Sequence, residues 1–269
     1  MMKDILQEII AYKRIEVEKQ KRLVPPERLA QQLALPTLRA TKSMRMALAS
    51  SPTGIIAEFK RKSPSKGWIF PQAEVTEVVP AYEAAGASAC SILTDERFFG
   101  GSLKDLHHAR QLVSLPLLRK EFIIDPYQLA EARVAGADAI LLIAAVLTPE
   151  ECFELAKAAH AINLEVLLEI HNENELGHLN DYVDMLGINN RNLGTFETSL
   201  IHSYRLAEKL RQLDSNVLLV SESGISEPST VTALRAEGFR GFLIGETFMR
   251  GGTPGETLTK FIKGISHAD

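Results

Sequence analysis

From residue 54 onward the chain repeats one unit, a short apolar run followed by an amphipathic helical stretch. The runs are Gly54–Lys60, Ala89–Thr94, Pro116–Lys120, Asp138–Ile143, Leu164–Glu169, Asp184–Asn189, Val217–Glu222 and Gly241–Gly245. Several are continuously apolar rather than alternating, as expected of parallel strands covered on both faces. The helices between them have readable ends. Asp125-Pro126-Tyr127-Gln128 and Thr148-Pro149-Glu150-Glu151 each order a side-chain cap, a first-turn proline and a third-position partner. Ser226-Glu227-Pro228 is a weaker version. Gly86, Gly136 and Gly238 stand where helices should turn left-handed into the next run. Their spacing implies a repeat of about 25 residues, enough for one strand, one helix and short loops. Eight such units predict a closed (β/α)8 TIM barrel, an α/β fold. A doubly wound open sheet also alternates strand and helix, but no GxGxxG follows the first run.

Residues 1–53 precede the repeat and read as an N-terminal helical extension packed on a 54–269 barrel. Ile5, Ile9, Ile10 and Ile15 fall at near-helical spacing, with Glu8, Lys13, Glu16 and Lys19 assigned to the opposite, solvated face. This predicts an amphipathic helix over about 4–22, ended by Pro25-Pro26, with a short helical connector over 27–53. The helix is expected to cover one end of the barrel or the mouth of its site.

Composition narrows the function. A 45% hydrophobic share supplies a core without staples, and a net charge of −4 argues against nucleic acid as the main partner. The two cysteines, Cys90 and Cys152, form neither a metal-spaced cluster nor a disulfide framework. Cys90 lies in an apolar run and reads as a small core residue. The seven histidines show no HExxH or other paired metal spacing. The longest apolar stretch, around Ala139–Leu147, is too short to cross a bilayer, and charges interrupt the N-terminus where a signal peptide would be apolar. The expectation is a cytoplasmic protein with no metal catalysis.

In barrels of this kind the active site lies at the C-terminal ends of the strands. The first run ends in Glu58 and Lys60, leading into Lys62–Gly67, and the third ends in Lys120. The fifth ends in Glu169, the sixth in Asn189 followed by Arg191, the seventh in Glu222-Ser223-Gly224 and the eighth in Gly245-Glu246. Each has an ordinary structural reading alone: Lys60 paired to Glu58, Glu169 capping a helix near Asn172, Arg191 bracing a loop. Together they converge on one mouth, and burying unpaired charge costs several kcal/mol. Gly224 and Gly245 stand where barrel enzymes bind phosphate with backbone amides. The Glu246 side chain is expected to point away from such an anion. Phe98 or Phe99 and Phe122 are candidates for a ring-binding wall, whereas Leu141 and Ile143 read first as core. His171 reads as helix-terminal packing near the site, and His107 and His108 as exposed.

The strings Ile56–Gly67, Leu93–Ser102, Leu118–Asp125, Leu186–Leu193, Val220–Ile225 and Leu243–Glu246 resemble the indole-3-glycerol-phosphate synthase family, and the resemblance runs the length of the chain. Glu121 stands where that family often has aspartate, and Trp68 where a smaller residue is expected. The resemblance implies a carboxy-lyase that closes the indole ring of 1-(2-carboxyphenylamino)-1-deoxyribulose 5-phosphate with loss of carbon dioxide and water, using no metal or cofactor. It implies Lys120 as general acid for condensation and Glu169 as acid/base in dehydration. Lys60 becomes a carboxylate holder and one candidate for the second acid. Glu58, Asn189 and Glu222 would support the reacting centre. Ser63, Arg191, Ser223, Gly224, Leu243, Gly245 and Glu246 would bind substrate, with Phe99, Phe122 and Leu141 at its ring. A phosphoribosylanthranilate isomerase would instead want a cysteine–aspartate pair at strand ends. A dead scaffold barrel would show decay there, and a fusion would need a second barrel after His267. The partner expected is a small phosphorylated molecule, with no nucleic acid, no membrane and a monomeric chain.

Overall fold

The computed structural model describes residues 5–191, 197–212 and 217–266. Each of the eight apolar runs contains a strand: β1 (Ile55–Phe59), β2 (Ala89–Leu93), β3 (Leu117–Lys120), β4 (Ala139–Ile143), β5 (Glu165–Ile170), β6 (Met185–Asn189), β7 (Leu218–Glu222) and β8 (Gly241–Ile244). Neighbours pair in parallel in chain order, and β8 closes on β1 with Ile55 opposite Phe242. The closed barrel removes the open-sheet alternative. Alternate strand residues face inward and outward, so two cores form. Ile56, Leu118, Leu141, Leu167, Val220 and Leu243 fill the barrel, while Ile55, Ala57, Ile140, Leu168 and Phe242 pack under the surrounding helices.

The helix ends follow the caps read from the chain. Asp125 with Gln128 and Thr148 with Glu151 form complete capping boxes, whereas Glu227 caps the helix Pro228–Ala236 without a side-chain bond. Gly86, Gly136 and Gly238 have φ of 94°, 99° and 98°, a left-handed conformation that a side chain would strain. One unit departs from the pattern. Between β5 and β6 the connection is a short 3-10 helix, Glu173–His178, capped by Asn172.

The N-terminal segment forms α1 (Ile5–Leu23), α2 (Pro26–Leu33) and α3 (Met44–Ser50). They serve opposite ends of the barrel. Met44 and Leu48 of α3 join the inner core at the strand starts, where Arg39 pairs with the fully buried Asp138. The other end is met by α1, and here the sequence reading needs correction. Its buried stripe is Ile9, Lys13 and Val17, while Ile15 is 67% exposed. Lys13 was assigned to the solvated face, yet it is 1% exposed. Its ammonium lies 2.9 Å from Asp95 and 2.9 Å from Glu121, with Glu16 at 2.8 Å. Hydropathy sorts residues by type, and a lysine whose charge is fully paired can replace an apolar residue on a buried stripe.

Candidate active site

Period-2 alternation puts Glu58, Lys120, Glu169, Asn189 and Glu222 on inward positions at the C-terminal ends of β1, β3, β5, β6 and β7. They meet over the inner core. Lys120 Nζ donates to Glu169 Oε2 at 3.1 Å and to Glu222 Oε2. Glu169 Oε1 accepts from Asn189 Nδ2 at 3.1 Å. Lys60 pairs with Glu58 at 2.7 Å. The interior admits these side chains because facing residues are small. A β-carbon at Gly187 would strike Glu222 Oε1, and one at Gly245 would strike Glu58.

Electrostatics separate the two carboxylates that grip Lys120. Burial opposes ionisation of Glu169, but Lys120, His171 and Asn189 hold it well below the usual carboxylate range. Burial raises Glu222 above that range against the pull of Lys120, with Glu169 and Glu58 adding to the rise. Lys120 itself is raised. Burial opposes its charge, but Glu222, Glu169 and Glu58 outweigh it. The two carboxylates are therefore unequal, Glu169 held ionised and Glu222 resisting ionisation. Glu222 Oε1 is buried over Gly187 without a hydrogen-bond partner.

The cavity above these groups is lined by Ser63, Phe99, Phe122, Leu141, Arg191, Ser223 and Leu243 as well as the five charged residues and Asn189. An adjoining lobe is lined by Gly224, Gly245 and Glu246, and shares Glu58, Lys60, Arg191, Ser223 and Leu243 with the first. The polar and glycine candidates read from the strand ends therefore stand together at one mouth. Leu141 has both expected roles, since it is buried in the inner core and forms part of the cavity floor. Of the two phenylalanines, Phe99 lines the cavity, 6.0 Å from Phe122. Phe98 instead packs edge-on against Tyr12 of α1.

Ser223 and Gly224 both have positive φ, 66° and 78°. For serine this is a strained conformation, of the kind that concentrates at binding sites. Asn190, fully buried, holds the turn by donating to the carbonyls of Glu222 at 3.0 Å and Ser223 at 3.2 Å. The Glu246 carboxylate does not turn away as expected. It pairs with Arg250 and lies 3.7 Å from Arg191, which neutralise it beside the lobe. Arg191 also donates to Ser65 at 2.6 Å, tying β6 to the loop after β1.

Several lining groups escaped the sequence reading. Ile5, Leu6 and Ile9 of α1 form part of the cavity wall, and Asp95 and Glu121 reach it too. Their signal was the helix itself, since a helix drawn over the mouth must present some residues inward. Trp68 stacks over Gly100, where a β-carbon would meet the indole at 2.9 Å, so the small residue accommodates the bulky one. His171 was assigned to helix packing, but its Nε2 lies 3.3 Å from Glu169 Oε1. Cys90 and Cys152 are buried, and burial raises both thiols, Cys152 to about 11, as befits core residues. His107 and His108 are exposed. Among the described residues no helix is long and apolar enough to cross a membrane.

Comparison with known proteins agrees with this geometry. In solved structures, a mutant tryptophan synthase alpha-subunit from Pyrococcus furiosus superposes with a TM-score of 0.61, covering 80% of this chain and 98% of that one. At 16% identity it speaks for the barrel alone. An indole-3-glycerol phosphate synthase of Bacteroides thetaiotaomicron is 61% identical over 98% of this chain and all of its own length. One from Prochlorococcus marinus is 42% identical over 98% of this chain and 90% of its own. The family model described as Indole-3-glycerol phosphate synthase matches residues 6–261, and the chain belongs to that family.

Proposed function

We propose that the Lys120–Glu169–Glu222 cluster performs the chemistry of this family: ring closure, decarboxylation and dehydration of 1-(2-carboxyphenylamino)-1-deoxyribulose 5-phosphate to indole-3-glycerol phosphate in tryptophan biosynthesis. The observation that carries the assignment is one lysine held between two buried carboxylates of opposite tendency above a cavity. Groups whose surroundings push their ionisation apart are suited to opposite acid and base roles.

Between its carboxylate neighbours Lys120 is a weak acid because they stabilise its charge. When the substrate ketone takes the place of one carboxylate, the ammonium faces the oxygen that becomes negative as the ring carbon attacks. Lys120 then donates its proton there. Loss of the substrate carboxylate as carbon dioxide leaves a hydroxyl to be expelled. Glu169 takes the ring proton in that dehydration. Lys60, next to Glu58, holds the departing carboxylate and is one candidate acid for the hydroxyl. Asn189 orients Glu169, and Glu222 stabilises charge at the reacting centre. Phe99, Phe122, Leu141 and Leu243, with Ile9 above, enclose the aromatic ring and exclude water.

The phosphate lies in the adjoining lobe, against the backbone of Ser223, Gly224, Gly245 and Glu246, with Arg191 as its cation and Ser63 nearby. The strained turn at Ser223-Gly224 supports that placement. Residues 1–53 act as an extension of the 54–269 barrel, and the chain works as a cytoplasmic monomer.

A fluorescence assay of the purified protein with this substrate tests the reading. Indole-3-glycerol phosphate should form with wild type and fail to form with Glu169→Gln. A folded wild type that makes no product, or a Glu169→Gln variant with normal turnover, would overturn it.

A further inference from the structure

The imidazole behind Glu169 has no part in the reaction so far described. His171, the first residue past β5, stands two residues after Glu169 and reaches the same carboxylate. It does not line the cavity. Its Nε2 lies 3.3 Å from Glu169 Oε1, on the side of the carboxylate away from Lys120, which binds Oε2. Its Nδ1 lies 3.5 Å from Glu175 Oε2 on the 3-10 helix. Glu175 is itself fixed: it accepts from the His171 amide at 2.7 Å and from Asn172 Nδ2 at 2.9 Å. Three residues thus form a line from the substrate pocket outward, carboxylate, imidazole, carboxylate.

The ring is 11% exposed and both nitrogens lack an in-line hydrogen bond. A neutral imidazole so placed would turn one unprotonated nitrogen toward a carboxylate oxygen, two acceptors with no proton between them. As an imidazolium it stands between two anions at ion-pair distance. Burial disfavours that charge, but the flanking carboxylates outweigh it and raise the group to about 10. The charged groups facing this line are few. Lys120 and Glu222 meet Glu169 from β3 and β7, and His178 faces Glu175 from its own helix. Asn189 on β6 is the neutral donor.

We propose that His171 is a positioning residue, an imidazolium held by Glu175 that keeps Glu169 ionised and oriented while Lys120 is engaged with substrate. The inference rests on the reading of Glu169 given above. Its physical need is plain. Once Lys120 gives its proton to the substrate, Glu169 and Glu222 face each other in a buried pocket with no cation between them. One must take up a proton, and the carboxylate with a cation behind it stays the base. His171 thereby distinguishes two carboxylates that otherwise grip the same lysine alike.

Two measurements test this. In the wild-type protein, the ring nitrogens of His171 followed by NMR should remain doubly protonated at pH 8.5. An imidazole that is neutral at that pH overturns the proposal without any variant. His171→Phe removes the charge at similar size, and His171→Gln keeps a donor without charge. Both should fold cooperatively and lose about tenfold in kcat at pH 6, with part of the loss recovered by pH 8.5 and KM within about twofold. A tenfold loss at pH 6 results if, with Lys120 engaged by substrate, the variant's Glu169 titrates about one unit above that pH, and the sign follows because removing a cation makes a carboxylate harder to ionise. A loss independent of pH, a loss carried by KM, or full activity in His171→Gln would overturn the charge role. Glu169→Gln assayed alongside separates the two ideas. If it is inactive while the His171 variants are normal, the inference fails and the reading of Glu169 stands; if it is active, the reading itself has failed.

Discussion

Two lysines are drawn into carboxylate clusters at the same end of the barrel, and adjacent residues of the chain divide between them. Lys120 points to Glu169 and Glu222, whereas Glu121, the next residue, points to Lys13 of α1. Both clusters are buried, and both raise their lysine against the cost of burial. They differ in where the lysine stands. Around Lys13, Asp95 Oδ1 accepts from the Phe98 amide at 2.7 Å, and Glu121 accepts from Thr94 Oγ1 at 2.7 Å and the Phe122 amide at 2.9 Å. Around Lys120 the lysine itself lines the cavity, which Lys13 does not. A lysine kept out of the cavity fixes structure, and one that lines it can meet a ligand. The Lys13 cluster also joins α1 to the two loops that carry Phe99 and Phe122, so it braces the walls of the pocket that Lys120 serves.

The comparison predicts opposite phenotypes for the two lysines. Lys120→Ala should lower kcat by about a thousandfold or more, since both its proton and its charge are lost at the reacting centre. Its unfolding midpoint should move less than that of a Lys13 variant, because Glu169 keeps His171 and Asn189 as partners and Glu222, already raised, can take up a proton. Steady-state kinetics beside urea unfolding checks both parts, and near-normal turnover would remove Lys120 from the acid role.

Lys13→Met should do the reverse. Removing one partner from a sealed ion cluster costs about 3–5 kcal/mol, because Asp95 and Glu121 are left charged and buried. Turnover of the folded fraction should fall by less than about tenfold, through KM more than kcat. Adding Asp95→Asn and Glu121→Gln to Lys13→Met should restore much of the loss, since the uncompensated charges go with the cation. If Lys13→Met is as stable as wild type, the brace is not one. A smaller effect is expected at the wall itself. Phe99→Ala removes the ring 6.0 Å from Phe122 and should raise KM about tenfold, roughly 1.4 kcal/mol, with kcat less affected.

The same pair shows which parts of the molecule were legible in the chain. Lys120 was readable because it ends a strand, and a barrel sends all eight strand ends to one place. Glu58, Glu169, Asn189 and Glu222 were readable for that reason, and the capping sequences at Asp125 and Thr148 because a cap is a local hydrogen-bond pattern. Lys13 was not, since its role depends on Asp95 and Glu121, more than 80 residues away, and nothing within α1 distinguishes it from an exposed lysine. His171 failed for a related reason. Its position after β5 was visible, but the 3-10 helix that brings Glu175 to its far side replaced an expected α-helix. Long-range ion pairing is carried by geometry, whereas strand-end placement is carried by period and count.

The smallest effect expected is in the pH dependence of the brace. Glu121 is held below its ordinary value of 4.5, burial opposing ionisation and Lys13 and Arg119 favouring it. Its contribution to stability is therefore present above about 4.5 and lost as pH falls through the lower folded value. Lys13 is raised above 10.5, so its contribution is present below that value and lost only as pH rises through the folded one. The wild-type cluster is thus fully effective from about 4.5 to 10.5. In Lys13→Met the Glu121 carboxyl stays buried without its nearest cation, so it takes up a proton at higher pH than in wild type. Acidification then relieves the variant before it harms the parent. The stability gap between them should narrow between pH 7 and pH 5, by about 1.4 kcal/mol for each unit by which the variant's carboxyl titrates above pH 5. Urea midpoints at pH 8, 6 and 5 measure it. A gap that stays constant or widens on acidification would mean that Glu121 is not the charge left uncompensated by the loss of Lys13.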